Sequence, residues 1–328
     1  MSESNKNAGH ANESFRFVQL SDLHLSSIGV PNPLYLMNKR ALGYLSWLKK
    51  RRFTHQRWIL DCALSDIKQL NVDHYAITGD LTHIGLKHEF TQVASWLSDV
   101  GEPENVTIIP GNHDLYVNEH WNRSFLFWQD YMLGDNMTAK AIKENNDALN
   151  NLNALYPIVR IRKHVAFIAL SSVFNAPWFR ATGKISDAQL NRLKTLLSNG
   201  QLDDYCKVLL IHHPITLSNT PARKSLLNHS MLTAILNEHP VQVILHGHGH
   251  HSNMDTLICN KDIHTPVIGM SSTSSTSQSE KYKAEFLLFD IHKTHSHWNM
   301  QLQHHTLNLQ KNSFIHSHTE NFSSPLTI

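Results

Sequence analysis

Short apolar runs alternate with longer amphipathic stretches along most of this chain. "FRFVQL", "HYAI", "VTIIP", "VAFIAL", "KVLLI" and "VQVIL" are rich in β-branched or aromatic residues. Each is bounded by polar residues, Gly or Pro, which is the pattern of buried strands. Helical periodicity fills several of the gaps. "HQRWILDCALSDIKQL" puts Trp58, Ile59, Cys62, Ala63, Ile67 and Leu70 near one stripe. "SDAQLNRLKTLLSN" opens on Ser186 as an N-cap and runs to Gly200, and "SLLNHSMLTAILNEH" predicts another helix. Strands alternating with helices predict an α/β fold with mixed or parallel sheets. Near the end, "TPVIGM", "AEFLLFD" and "SHWNMQLQ" come without helices between them and predict antiparallel strands of a second sheet. Residues 1–14 read as a flexible lead, 15–310 as a single domain and 311–328 as a loose tail. The low-complexity "SSTSSTSQS", residues 271–279, reads as a flexible loop.

Composition narrows this picture a little. The chain has 328 residues, 41% of them apolar, enough for a substantial core. A net charge of +2 gives no electrostatic case for nucleic acid as a general partner. Cys62, Cys206 and Cys259 are odd in number, widely spaced and without a CxxC pair, so a reducing, cytoplasmic setting is expected. The polar lead has no apolar h-region, and no run approaches the ~18 apolar residues of a membrane span.

The chemistry lies at the ends of the apolar runs. "FVQL" leads into Asp22 and His24, "YAIT" into Gly79-Asp80, and "VTIIP" into Gly111-Asn112-His113-Asp114. "VLLI" leads into His212-His213-Pro214, and "VQVIL" into His246-Gly247-His248-Gly249-His250. Carboxyl ends of strands share one edge of an α/β sheet, and ligand sites sit there. Residues two apart at a strand end, as in Asp22/His24 and His248/His250, can point to the same side. Carboxylates, imidazoles and one amide, with no thiolate, suit Mn, Fe or Zn, and there are enough of them for two ions.

The ordered set D-x-H, G-D, G-N-H-D, H-H-P and G-H-x-H resembles the signature of the calcineurin-like metallophosphoesterases, from about residue 15 to about residue 251. The resemblance implies a four-layer α/β sandwich of two mixed sheets flanked by helices. It implies that Asp22, His24 and His250 hold one metal, that Asn112, His212 and His248 hold the other, and that Asp80 bridges them. His213 is the competitor to His212. His113 is implied to face the scissile phosphate and to stabilise or protonate the leaving oxygen, with Asp114 orienting its ring. His246, His251 and His83 are expected to lie outside the ligand set. The implied reaction is hydrolysis of a phosphodiester or pyrophosphate by a hydroxide that two metals activate. A UDP-2,3-diacylglucosamine-type pyrophosphatase and a cyclic-nucleotide phosphodiesterase are the alternatives; a nuclease and a non-catalytic scaffold rank below them.

One stretch departs from the compact pattern. Residues 35–57 carry Lys39, Arg40, Lys49, Lys50, Arg51, Arg52 and Arg57 among Leu42, Tyr44, Leu45, Trp47, Leu48 and Phe53. Basic plus apolar residues make either an ordinary surface helix or an interfacial arm. The second reading predicts a lipid-linked phosphoester substrate, or a peripheral contact with an anionic membrane face such as the inner membrane.

Overall fold

A computed structural model describes residues 14–326 except 26, 138–146, 217, 219, 261 and 262. The predicted lead therefore lies almost wholly outside the described residues. Twelve strands form two six-stranded sheets. The first contains β1 (Phe15–Leu20), β2 (His74–Ile77), β3 (Val106–Ile108), β10 (Glu285–Lys293), β11 (His297–Asn308) and β12 (Ser313–Pro325), in the order β12-β11-β10-β1-β2-β3. The second contains β4 (Ile158–Arg162), β5 (Val165–Ala169), β6 (Cys206–Leu210), β7 (Val243–His246), β8 (Asn253–Cys259) and β9 (Ile263–Gly269), in the order β4-β5-β6-β7-β9-β8. All six apolar runs singled out above are strands.

Both sheets are mixed. β1 runs parallel to β2 and antiparallel to β10; β5, β6, β7 and β9 run parallel, with β4 and β8 antiparallel at the edges. The sheets meet through aromatic rings. Phe17 stacks on Phe289 at 4.6 Å and meets the edge of Phe167 at 5.1 Å. Alternation along β5 explains why that run lacks a polar face: Val165 and Phe167 enter the inter-sheet core, while Ala166 and Ile168 pack under helices. Those helices are α6 (Asp187–Ser198), capped by Ser186, and α7 (His229–Glu238), which contribute Leu190, Leu193, Leu232 and Leu236. Over the first sheet lie α3 (Arg57–Ile67) and α4 (Lys87–Val100). The stripe of α3 is Ile59, Leu60, Ala63, Leu64 and Ile67, with Trp58 39% exposed, so the face is rotated from the predicted one. No helix among the described residues is long and apolar enough to cross a membrane.

Three expectations are corrected. The tail is not loose: residues 313–325 are β12, paired with β11 from Asn308↔Ser313 to His297↔Pro325. Its polar sequence hid it, because as an edge strand it keeps most side chains in water and is held by backbone pairing. Phe314 tucks against Phe286, and its N–H reaches the Asp66 carboxylate of α3 at 2.6 Å. The last strands also do not form a sheet of their own. β9 joins the second sheet beside β7, whereas β10 and β11 extend the first from β1. Lastly, Ser271, Ser272, Thr273, Ser274 and Ser275 are buried. The Ser272 hydroxyl donates to the Asp22 carbonyl (2.6 Å), and the Gln56 and Thr276 N–H groups bond the Ser274 and Thr54 carbonyls. The hydroxyls serve as partners for an irregular backbone, so low complexity here does not mean mobility.

Residues 40–54 form one helical arm: α1 (Arg40–Ser46), a π-helical turn over Trp47–Arg51 and α2 (Arg52–Thr54). Trp47 packs with Ile28, Ile84 and Leu86. Buried Arg40 bonds the Ile84 carbonyl and pairs with Glu119 at 3.3 Å, so the root of the arm is fixed to the loop after Asp80. The remaining helix, α5 (Ala148–Leu155), lies before β4.

Candidate metal centre

The carboxyl ends of β1, β2, β3, β6 and β7 converge on one cleft, and the loops leaving them are knitted together. Asp22 N–H bonds the Gly79 carbonyl (2.9 Å), and His24 N–H bonds the Asp80 carbonyl (3.0 Å). Asp22, His24, Asp80, His248 and His250 all have positive φ, five of the nine such non-glycine residues described. That conformation is costly for L-residues, and its concentration here marks a site whose side chains are turned inward against local preference. Glycines make the approach possible. A Cβ on Gly111 would collide with the Asp80 backbone N and Oδ1, and one on Gly247 with the Ser21 hydroxyl.

Two ligand-type groups result, sharing Asp80. Asp22, His24, Asp80 and His250 bring donor atoms within 4.8 Å of one another, and so do Asp80, His212 and His248. Asn112 joins the second, its Oδ1 lying 3.3 Å from His212 Nε2. The Asp80 Oδ2 atom stands 3.4 Å from His212 Nε2 and 4.0 Å from His24 Nε2. Its other oxygen accepts the His113 N–H at 2.7 Å.

Carbonyls behind the rings set the tautomers. His24 Nδ1 bonds the Thr82 carbonyl (2.9 Å) and His212 Nδ1 bonds the Thr78 carbonyl (2.7 Å). Each ring then turns its Nε2 forward, the usual outer support of a metal-binding histidine. Among the described residues, His248 Nε2 is buried without a hydrogen bond, and Asp22 Oδ1 meets only the His250 Nε2 atom, at 3.1 Å. Orphaned acceptors of this kind cost free energy unless a cation satisfies them. Charge agrees with geometry. Burial works against a charged His212, yet Asp80 overrides it and lifts this imidazole to about 9, so a cation would here take the place of the Nε2 proton that faces Asp80. Burial also opposes the Asp80 carboxylate, but the surrounding imidazoles hold it well below its usual range. Burial keeps His24 and His248 neutral, the form that ligates. The donor set therefore fits two cations.

The remaining predicted residues separate clearly. His213 turns away, its Nδ1 2.8 Å from the Ser172 hydroxyl, so His212 is the member of the pair that faces the cluster. His246 and His251 bond the Gly247 and Gly249 carbonyls and lie outside both groups. His113 lines the cleft with Asn112. Its ring is not oriented by Asp114, which corrects that expectation. The Asp114 carboxylate is taken up by the Leu81, Thr82 and Gly111 N–H groups and the Thr82 hydroxyl at 2.8–3.0 Å. Burial and neighbouring Asp80 push Asp114 up to about 7, against the pull of those donors. The His83 carbonyl holds His113 Nδ1 instead, at 2.5 Å.

Two residues missed as site members come from the arm and from the position directly after it. His55 brings a ring nitrogen within 4.8 Å of those of His24 and His250, and its Nδ1 is fixed by the Ser274 hydroxyl at 2.8 Å. Arg51 places Nη1 2.9 Å from His113 Nδ1. Neither follows a strand, so spacing could not reveal them; the only signal was the position of the arm directly after His24. The cleft measures about 340 Å³, and Arg51, Arg180, Arg223 and Lys224 line it. A larger groove of about 540 Å³ lies at the root of the arm, between Tyr35, Arg40, Leu86 and Glu119, and contains no ligand-type cluster among the described residues.

A family model described as calcineurin-like phosphoesterase matches residues 15–252. A search of curated proteins finds no match. Among solved structures, a dimetal phosphatase from Danio rerio is 13% identical with a TM-score of 0.50, covering 95% of this chain and 99% of its own. Vacuolar protein sorting 29 from Cryptosporidium parvum is 10% identical with a TM-score of 0.40, covering 95% and 99%. The sulfate thiohydrolase SoxB of Thermus thermophilus is 14% identical with a TM-score of 0.43, covering 99% of this chain and 58% of its own.

Proposed function

The chain belongs to the calcineurin-like phosphoesterases, and from that premise we propose that it hydrolyses phosphodiester or pyrophosphate bonds at a two-metal centre. In this reading Asp22, His24 and His250 hold one ion, Asn112, His212 and His248 hold the other, and Asp80 lies between them. Mn, Fe or Zn suits the donors. Such a pair, when bound, lowers the pKa of a water and offsets charge on the phosphoryl oxygens.

The chain's own residues supply the rest. His113 donates Nδ1–H to the His83 carbonyl, which leaves Nε2 as its second hydrogen-bonding atom. Burial and nearby Arg51 hold this ring down to about 3, so before substrate arrives it is neutral. It becomes a proton donor only once the negative charge of a phosphoryl group raises that value. Arg51, Arg223 and Lys224 line the cleft with positive charge. That favours a substrate with a second anionic group, as in a pyrophosphate, over a simple monoester.

The observation that carries the reading is one carboxylate, Asp80, between two sets of inward-facing ligands that include the buried, unbonded His248 Nε2. Asp80→Asn is the test, with hydrolysis of bis-(p-nitrophenyl) phosphate, a nucleoside-diphosphate ester and a monoester measured in Mn²⁺. Turnover should fall by at least about 10²-fold, the scale of losing one main electrostatic contact, and bound metal should fall with it. Wild-type turnover in this variant would remove Asp80 from the bridging role.

A further inference from the structure

The arm carries charge of one sign only. Between Asp22 and Asp61 there is no acidic residue, whereas seven are Lys or Arg. Arg40 is spent on Glu119, Arg57 pairs with Asp61 at 2.8 Å, and Arg51 turns into the cleft. Lys49, Lys50 and Arg52 remain exposed. Beside them are apolar side chains that the fold leaves uncovered: Leu42 is 36% exposed, Leu45 50% and Phe53 60%. Positions 42, 45, 49 and 53 follow helical spacing, so Lys49 stands in the same stripe as Leu42, Leu45 and Phe53.

A second apolar projection lines the cleft together with Leu42 of this stripe. Trp178 is 55% exposed and Phe179 81%. Phe179 has a φ of +64°, strained for a bulky residue, so the turn holds an aromatic ring out in water at a cost in backbone energy. Lys39 joins the two projections, its Nζ bonding Asn175 Oδ1 at 3.1 Å and the Ala176 carbonyl at 3.2 Å. Leu42, Trp178 and Phe179 line the same cleft as His113.

We infer that this rim, the outer stripe of the arm together with the Trp178–Phe179 turn, docks on an anionic lipid bilayer and presents the cleft to the headgroup layer. Two leucines, two phenyl rings, one indole and a set of cations without counter-charges form an interfacial surface. Single-stranded nucleic acid would also use aromatic rings beside cations, but it gives no role to the exposed Leu42 and Leu45 of the arm. A soluble monomer has no reason to leave such a cluster exposed.

Vesicle co-sedimentation of the full chain tests this, with phosphatidylcholine alone and with about 30% phosphatidylglycerol, at about 0.1 M salt. Wild type should partition onto the anionic vesicles and stay in solution with the neutral ones. Each interfacial cation contributes about fivefold, so Lys49→Gln/Lys50→Gln/Arg52→Gln should lower the partition coefficient about 100-fold. Trp178→Ser/Phe179→Ser should lower it by about tenfold or more. All these side chains are exposed, and unchanged thermal melting would show that both variants fold. Wild type remaining in the supernatant with anionic vesicles would overturn the inference, and so would variants that bind as well as wild type. Preferential binding to single-stranded RNA, lost in the same variants, would overturn it too and reassign the surface. The readout is binding alone, so it is independent of whether the cleft hydrolyses phosphoesters.

Discussion

Arg51 is the residue that most sharply distinguishes an arm that merely covers the site from one that works in it. Its guanidinium is half-buried, lines the cleft and has no carboxylate within ion-pair distance among the described residues. Its Nη1 lies 2.9 Å from His113 Nδ1, but the 2.5 Å approach of that nitrogen to the His83 carbonyl places the proton on Nδ1. The guanidinium thus meets another donor, and its own N–H groups are left to a ligand. A hydrogen bond to a charged oxygen contributes about 1.5–3 kcal/mol. If that oxygen belongs to the reacting phosphoryl group, Arg51→Ala should lower kcat/KM by about 10- to 150-fold. The His83 carbonyl would still hold His113, and the pH profile of kcat/KM separates the lost contact from the rise in the His113 pKa that removal of Arg51 brings. Arg51→Lys should restore little, because a point charge replaces a planar fork. Steady-state kinetics on a diester and a pyrophosphate, with bound metal measured in parallel, decide the matter. An Arg51→Ala enzyme within about twofold of wild type on both substrates would refute the reasoning, since a contact of about 1.5 kcal/mol cannot vanish so quietly.

Three further expectations follow from the same geometry. Asp114→Ala should act on stability, because it strands three buried backbone N–H groups; at about 1–3 kcal/mol for an orphaned donor, urea unfolding should show a loss of at least about 2 kcal/mol, and a fully stable variant with reduced kcat would contradict this. Gly111→Ala should cost about 1–3 kcal/mol in the same assay and reduce bound metal, since its methyl displaces Asp80; retained metal would show that the loop yields. His74 is buried between the sheets at 4.6 Å from Phe167, and burial depresses its pKa well below the unfolded value of about 6.5. The unfolded chain therefore takes up the proton first, so this contribution is complete above about pH 6.5 and is lost as pH falls, by about 1.4 kcal/mol per unit. Between about pH 6 and 5, His74→Phe should have a shallower slope by that amount, and parallel slopes would sink the assignment.

What could be read from the sequence, and what could not, follows from where each contact originates. Asp22, His24, Asp80, Asn112, His212, His248 and His250 were legible because each ends an apolar run, and strand ends of an α/β sheet share an edge. Local geometry carries that information. Arg51 and His55 were not legible as site members, because a π-helical turn and a docked arm deliver them. Asp114 was misassigned for the opposite reason: adjacency to His113 in sequence says nothing of direction, and three backbone donors claim its carboxylate first. β12 and the buried hydroxyls at 271–275 share one cause of error, since polarity was taken for exposure. In both, backbone pairing outweighs side-chain character. Tertiary contact, not composition, decides whether a polar segment is ordered, and here the ordered polar segment at 271–275 holds His55 and the arm against the cluster of Asp22, His24 and His250.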